Sequence, residues 1–216
     1  MSAPQNSRVA VDIIRGIATD IEENVGYLTQ LDQAIGDGDH GINLANGFRA
    51  VRERLDELEG KDIGGILKHV GTTLVSNVGG TAGPLYGMAF MKAGESVAGK
   101  TELDANDLAK MFEAAEQGIV GIGKAQLGEK TMLDAIHPAV IATKDAANHG
   151  KSLIEALEIG VKAAEEGMRN TINMVSKRGR ASYLGERSRG HQDVGATSAC
   201  IMLESALKTL KRLQQT

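Results

Sequence analysis

Apolar side chains recur at intervals of three and four residues along almost the whole chain, which is the spacing of amphipathic helices. No stretch alternates apolar and polar residues as a half-buried strand would. The pattern predicts eight helices, at residues 8–35, 42–58, 62–78, 84–98, 103–122, 130–148, 152–176 and 192–213. Each has one apolar stripe, so we expect an all-α bundle that forms a single domain over residues 1–216.

The connections between these predicted helices fall into two classes. If consecutive helices run up and down, alternate connections lie at the same end of the bundle. One end then carries glycine-rich or charged segments, at residues 36–41, 79–83, 123–129 and 177–191, and the other carries only the short connections 59–61, 99–102 and 149–151. Because functional residues concentrate in loops that a rigid scaffold holds, we expect the functional site at the first end.

Three aspartates in and beside the first of these connections, Asp32, Asp37 and Asp39, give the strongest chemical signal. Asp32 continues the apolar stripe that contains Val25 and Leu28, so its carboxylate should point inward, where an uncompensated charge is costly. The negative end of the helix dipole disfavours it further. A divalent cation would relieve both costs, and a ligand set made only of oxygens favours magnesium or calcium over zinc. Helix capping would explain Asp39 alone, and the spacing is not that of an EF-hand.

The other connections at this end have features that suit phosphate. Residues 79–84 (Gly-Gly-Thr-Ala-Gly-Pro) open a helix whose free amides can bind phosphate, although a plain turn would have a similar composition. Residues 123–131 resemble a P-loop, but Glu129 interrupts the motif and no strand precedes it. Lys130 therefore either meets a phosphate or is solvated. Segment 177–191 carries five basic residues and one acidic residue, and such cations balance phosphate charge.

Composition narrows the function class. The net charge of -4 argues against a nucleic-acid partner. No apolar run reaches the roughly 18 residues that a membrane span needs, and no signal peptide is recognisable, so a cytoplasmic protein with no membrane partner is expected. The single cysteine, Cys200, excludes an internal disulfide and lies in an apolar stretch that predicts a buried thiol.

Aspartates, glycine-lined helix starts and arginines at one end together predict a nucleotide–magnesium site for phosphoryl transfer.

Over essentially its full length the chain resembles a known family. The motifs that carry the resemblance are residues 31–43, 79–84, 130–132, 179–188 and 190–193. They resemble the ADP-binding subunits, called DhaL, of bacterial dihydroxyacetone kinases linked to the phosphotransferase system. The resemblance implies an all-α fold, an eight-helix antiparallel up-and-down barrel whose nucleotide site caps one end.

The resemblance also implies roles for individual residues. Asp32, Asp37 and Asp39 would hold two Mg²⁺ ions, and Arg180 would act on the transferring phosphate as the catalytic residue. The positions that would bind ADP or ATP are His40, Gly41, Ile42, Asn43, Thr81, Ala82, Gly123, Met132, Arg180, Asp193, Val194 and Gly195. The chain departs from the family pattern at three places: Glu129 stands where aspartate is frequent, Arg189 where an aliphatic residue is common, and Val194 where proline is common.

The function implied by the resemblance is that of a phosphoenolpyruvate-dependent glycerone kinase subunit. Tightly bound ADP would be phosphorylated by a phosphohistidine-carrying phosphotransferase subunit, and the phosphoryl group would pass to dihydroxyacetone held on a ketone-binding partner subunit. The length of the free-standing chain favours this type, because ATP-using relatives usually fuse the domain behind a ketone-binding one. Two alternatives stay open: an ATP-using kinase subunit for another small ketose such as erythrulose, and an ADP-dependent partner of a transcription regulator. A homodimer is also open.

Overall fold

The structure, a computed structural model, describes residues 3–215, with side chains described from Ser7 onward. All regular structure in these residues is helical, which confirms the predicted class. The α-helices are α1 (Ala3–Glu23), α2 (Val25–Ile35), α3 (His40–Arg52), α4 (Ile63–Asn77), α5 (Ala82–Ser96), α6 (Ala105–Gly123), α7 (Leu133–Asn148), α8 (Leu153–Asn170) and α9 (Val194–Gln214). Short 3₁₀ segments lie at Leu55–Leu58, Thr171–Asn173 and Arg180–Ser188.

The predicted boundaries are close for α4 to α7 and for α9 and wrong elsewhere. The helix predicted at 8–35 is interrupted at Asn24, whose backbone leaves helical geometry with φ -96° and ψ 9°. The Asn24 side-chain amide donates to the Asp20 carbonyl oxygen at 2.8 Å, and such side-chain bonds to the backbone compete with the helix ladder. The helices predicted at 42–58 and 152–176 end early, at Arg52 and Asn170, because each tightens into a 3₁₀ segment.

The helices pack into a closed ring in which α1 and α2 together form one of eight walls. Each helix from α3 to α9 packs on the wall before it, and α9 packs on α1. Neighbouring walls are antiparallel: between α4 and α5, Gly64 lies against Gly94 while Gly71 lies against Gly87. A Cβ added to Gly71 would lie 2.5 Å from the Gly87 carbonyl oxygen, so this close approach requires glycine.

The interior of the ring is apolar. Phe48 and Leu74 are fully buried, and a cavity of about 480 Å³ lies among side chains such as Ile17, Phe90 and Met202. Cys200 is buried, as predicted. Among the helices of the described residues, none combines the length and the apolar character that crossing a bilayer requires.

The antiparallel ring gathers the N-termini of α3, α5, α7 and α9 at one end. Asn43 of α3 lies beside Gly79, just before α5, and His40 of α3 is hydrogen-bonded to Ser198 of α9. The α7 start joins them through Met132, which lies beside Gly195. Helix N-termini carry partial positive charge, so this end of the ring favours anions.

Candidate functional site

The three aspartates form a compact cluster at this end. Asp32, Asp37 and Asp39 each offer a carboxylate oxygen within 4.8 Å of the others. Asp32 lies in the last turn of α2 and is 8% exposed, as its place in the apolar stripe predicted. Asp39 occupies the N-cap position of α3, but its side chain makes no capping hydrogen bond, so capping does not account for it.

Asp32 joins the end of α2 to the start of α3. The backbone N–H of His40 donates to Asp32 Oδ2 at 3.1 Å, so the carboxylate that is unfavourable at one helix end faces the favourable N-terminus of the next. A Cβ added to Gly36 would lie only 2.1 Å from Asp32 Oδ1, so glycine at this position leaves room for the carboxylate. Oxygen ligands from three carboxylates fit a hard divalent cation such as Mg²⁺.

Arg180, the predicted catalytic residue, lies beside this cluster. Its Nε atom is 2.8 Å from Asp37 Oδ2, and its side chain is 72% exposed. The 3₁₀ segment that Arg180 begins packs on α2, which brings the basic segment to the aspartates. An ion pair this exposed is weak, so the guanidinium can exchange Asp37 for another anion.

A buried polar chain connects three of the helix starts. The His40 Nε2 atom lies 2.9 Å from Ser198 Oγ, which lies 2.6 Å from the Tyr86 hydroxyl. The Tyr86 hydroxyl donates to the Gly195 carbonyl oxygen at 3.0 Å. Burial lowers the pKa of His40, although Asp32 and Asp39 oppose this, and burial raises the pKa of Tyr86. Burial therefore favours the neutral form of the imidazole.

Sequence reasoning missed Tyr86 and Ser198. Both lie within helical stretches whose neighbours are mostly small or apolar. The available signal was a hydroxyl-bearing residue on a buried helix face, where it requires a hydrogen-bond partner.

The first backbone donors of α5 have no side-chain cap. Thr81 occupies the N-cap position without a side-chain capping bond, and Gly80 before it has φ +67°. Asn43 faces this turn, since a Cβ added to Gly79 would lie 3.1 Å from its side chain. The first amides of a helix have no partner within the helix, so this turn can accept a phosphate oxygen.

The residues predicted to border the base, Met132 and Gly123, lie near the starts of α9 and α5. Met132 is 6% exposed and packs beside Gly195. Gly123, the last residue of α6, contacts Leu85 of α5. The remaining predicted positions are the buried Gly41 and Ala82, the exposed Ile42 and the half-buried Val194. All the predicted binding positions therefore lie near helix ends on one side of the ring.

The sequence left open whether Lys130 meets a phosphate or is solvated, and in the structure it does neither. It is 1% exposed, so it is not solvated. Its Nζ atom donates to the carbonyl oxygens of Thr171 at 2.6 Å and Met174 at 3.3 Å, and also to that of His191. An ammonium group has three protons, and these three bonds use all of them, so none is left for a phosphate.

Arg178 and Arg189, two of the five basic residues of segment 177–191, also have structural partners. The Arg178 Nε atom donates to Glu129 Oε2 at 2.6 Å, and this contact is the main cause of the lowered pKa of Glu129. Arg189 bonds the Asn173 carbonyl oxygen at 2.5 Å and Glu186 at 3.1 Å. Their guanidinium groups therefore have partners away from the aspartates, whereas that of Arg180 faces them.

Asp193 caps α9, and its Oδ2 atom accepts from the Ala196 amide at 2.7 Å. Burial raises its pKa from 3.8 to about 7, against the opposing effects of that amide and of Lys130. The unfolded chain therefore releases this proton near pH 4 and the folded chain near pH 7. Between these values the folded state binds more protons, so the contribution of Asp193 to stability falls as pH rises.

We expect Asp193→Asn to remove this contribution while keeping an acceptor for Ala196. The free energy of unfolding of the wild type minus that of the variant should fall by about 3 kcal/mol between pH 4 and pH 7. Urea unfolding of nucleotide-free protein across this range measures it. The comparison with the variant is needed because His40, whose pKa is lowered from 6.5, contributes with the opposite sign. A pH-independent difference would contradict the prediction.

Comparison with known proteins identifies similar chains. The model of the DAK2 domain family matches residues 34–208. The chain is 45% identical over 178 residues to the ADP-binding subunit DhaL of the PEP-dependent dihydroxyacetone kinase of Escherichia coli (strain K12), covering 82% of this chain and 85% of that one. It is 42% identical over 202 residues to the DhaL subunit of PEP-dependent dihydroxyacetone kinase 2 of Listeria innocua, covering 93% of each.

A solved structure resembles the fold. The dihydroxyacetone kinase from C. freundii, determined in complex with AMP-PNP and Mg²⁺, superposes with a TM-score of 0.69 at 22% identity, covering 95% of this chain and 34% of that one. This chain thus spans about a third of that kinase chain. At this identity the likeness concerns the fold, and it agrees with the all-helical ring.

Proposed function

The chain belongs to the DAK2 domain family, and we propose on this premise that it is the ADP-binding subunit of a phosphoenolpyruvate-dependent dihydroxyacetone kinase. Its activity is phosphoryl transfer. A phosphohistidine-carrying subunit phosphorylates the resident ADP, and the phosphoryl group then passes to dihydroxyacetone held on a ketone-binding partner. The relatives at 42–45% identity carry this name, and they match this chain over most of both lengths.

One observation supports the proposal above all others: the carboxylates of Asp32, Asp37 and Asp39 converge where four helix N-termini gather. Acidic side chains and positive helix ends at one place suit a ligand that is itself a metal-bound anion. A nucleotide diphosphate with Mg²⁺ has this chemistry. The carboxylates suit the cation of such a ligand, and the helix N-termini suit its phosphate groups.

The residues of this chain then have distinct tasks. Asp32, Asp37 and Asp39 hold magnesium, two ions in our proposal, which neutralises phosphate charge when bound. The amides that follow Thr81, and those at the starts of α3 and α9, orient the phosphate oxygens. Arg180 stabilises charge on the transferring group. Met132 and Gly123 border the base, and the aspartate end faces the ketone-binding partner.

The resident nucleotide provides the test. Protein purified without added nucleotide should release ADP on denaturation. After the nucleotide has been removed, ADP with Mg²⁺ should raise the unfolding temperature by roughly 5–10 °C at a hundredfold excess over Kd, because such binding adds about 2.7 kcal/mol of stability. ADP with EDTA should give a much smaller shift. No response to ADP with Mg²⁺ would overturn the proposal.

The phosphate donor is tested separately. With a ketone-binding subunit present, phosphorylated carrier protein should support many turnovers of dihydroxyacetone phosphorylation on the resident ADP. Excess ATP in place of the carrier should support little. Rapid turnover with ATP alone would favour the ATP-using alternative, and the same assay with erythrulose would identify the ketose.

A further inference from the structure

Lys130 has no task in the proposed function, yet it is among the largest fully buried side chains of the described residues. Its hydrogen bonds reach both ends of one segment. Thr171 and Met174 lie where residues 174–191, here called the arginine loop, leave α8, and His191 lies where they return to α9. Arg180 is within this loop. The ammonium group of Lys130 lies where the two ends of the loop meet, near Thr171, Met174 and His191, and we call this meeting point the neck of the loop.

The structure holds Lys130 in place at some cost. Its backbone has φ +62°, a left-handed conformation that a residue with a side chain rarely adopts. Asp134 stabilises this turn by accepting from the Gly128 amide at 2.6 Å and the Thr131 amide at 2.8 Å. A buried ammonium also needs all of its protons bonded. The ammonium group meets this requirement through the carbonyl oxygens of Thr171, Met174 and His191.

Among the other bonds across the same neck, the one from an ionised donor, Arg189 to the Asn173 carbonyl oxygen, lies at the exposed surface, and two are neutral. The Gly190 amide donates to the Ile172 carbonyl oxygen at 2.7 Å, and the Ser176 amide donates to Ser188 Oγ at 2.9 Å. Hydrogen bonds from an ionised donor are roughly twice as strong as neutral ones. Losing Lys130 should therefore loosen the arginine loop without unfolding the ring.

We propose that Lys130 is a positioning residue that closes the neck of the arginine loop and thereby holds Arg180 beside Asp37. It acts through Arg180 and does not touch the nucleotide. The effect on phosphoryl transfer rests on the proposed function, whereas the closure of the neck does not.

The neck is tested by limited trypsin digestion of native, nucleotide-free protein. Lys130→Met should speed cleavage within residues 177–189 about tenfold, because cleavage follows the population of the opened loop. Lys130→Gly, which accepts the positive φ, should do the same if the ammonium closes the neck. Leu157→Ala, a buried change in α8, is the control: it lowers the unfolding temperature without selective cleavage of the loop. Loop cleavage at the wild-type rate in both Lys130 variants would overturn the proposal.

A double-mutant cycle tests the link to Arg180. Lys130→Met should lower kcat for phosphoryl transfer about tenfold in the wild type but less than twofold in an Arg180→Ala background, since coupled residues are non-additive. The KM for the phosphorylated carrier should change little. An equal loss in both backgrounds would overturn the proposal. If the wild-type protein transfers no phosphate, the proposed function fails, and the trypsin assay still decides the neck.

Discussion

Asp32→Asn should reduce phosphoryl transfer by about 10³-fold or more, because the metal that Asp32 holds supplies several kcal/mol of charge stabilisation in the transition state. The stability of the nucleotide-free protein should not fall. Three carboxylates lie within 4.8 Å of one another, and removing one charge relieves their repulsion. The asparagine still offers an oxygen to the His40 amide. We therefore expect the nucleotide-free variant to unfold at the same temperature as the wild type or slightly higher.

The measurement pairs the transfer assay with thermal unfolding with and without ADP and Mg²⁺. Asp32→Asn should lose most of the magnesium-dependent stabilisation, and Asp37→Asn should behave similarly. Asp56→Asn is the matched control, since its carboxylate is 90% exposed, pairs with Arg15 and is outside the cluster. If Asp32→Asn kept normal transfer and a normal magnesium response, Asp32 would not be a metal ligand.

The inward position of Asp32 could be predicted because it depends on local geometry. A residue on an apolar helical stripe faces the interior whatever its type, and periodicity reports this directly. The sorting of connections between two ends follows from antiparallel packing of short-linked helices in the same way. For these two reasons the sequence alone could predict which end of the ring carries the site.

The sequence could not assign Lys130, because its partners are main-chain carbonyl oxygens about forty to sixty residues further along the chain. Main-chain acceptors are present at every residue and leave no mark on composition. The interruption of the helix at Asn24 could not be predicted for a related reason. The apolar stripe continues on both sides of it, and the break is accompanied by a side-chain bond to the Asp20 carbonyl oxygen. Contacts of side chains with distant backbone are the part of this site that periodicity does not report.

Arg180→Ala should reduce transfer by roughly 10²–10³-fold, because a positioned guanidinium stabilises charge that develops only in the transition state. ADP affinity should fall far less, since the helix N-termini and aspartates still hold the nucleotide. The loss should therefore appear in kcat. Arg180→Lys should recover part of the activity, because lysine keeps the charge but cannot present two parallel N–H donors.

Arg178→Ala is the control that separates the two roles of arginine in this loop. It removes the same group two positions away, but that group is bound to Glu129 and to the Lys124 carbonyl oxygen. An exposed pair of this kind contributes little, so transfer should stay within about threefold of the wild type. Equal losses for Arg178→Ala and Arg180→Ala would mean that the loop acts through its overall positive charge. A selective loss at Arg180 would locate the effect in the one guanidinium that faces the aspartates.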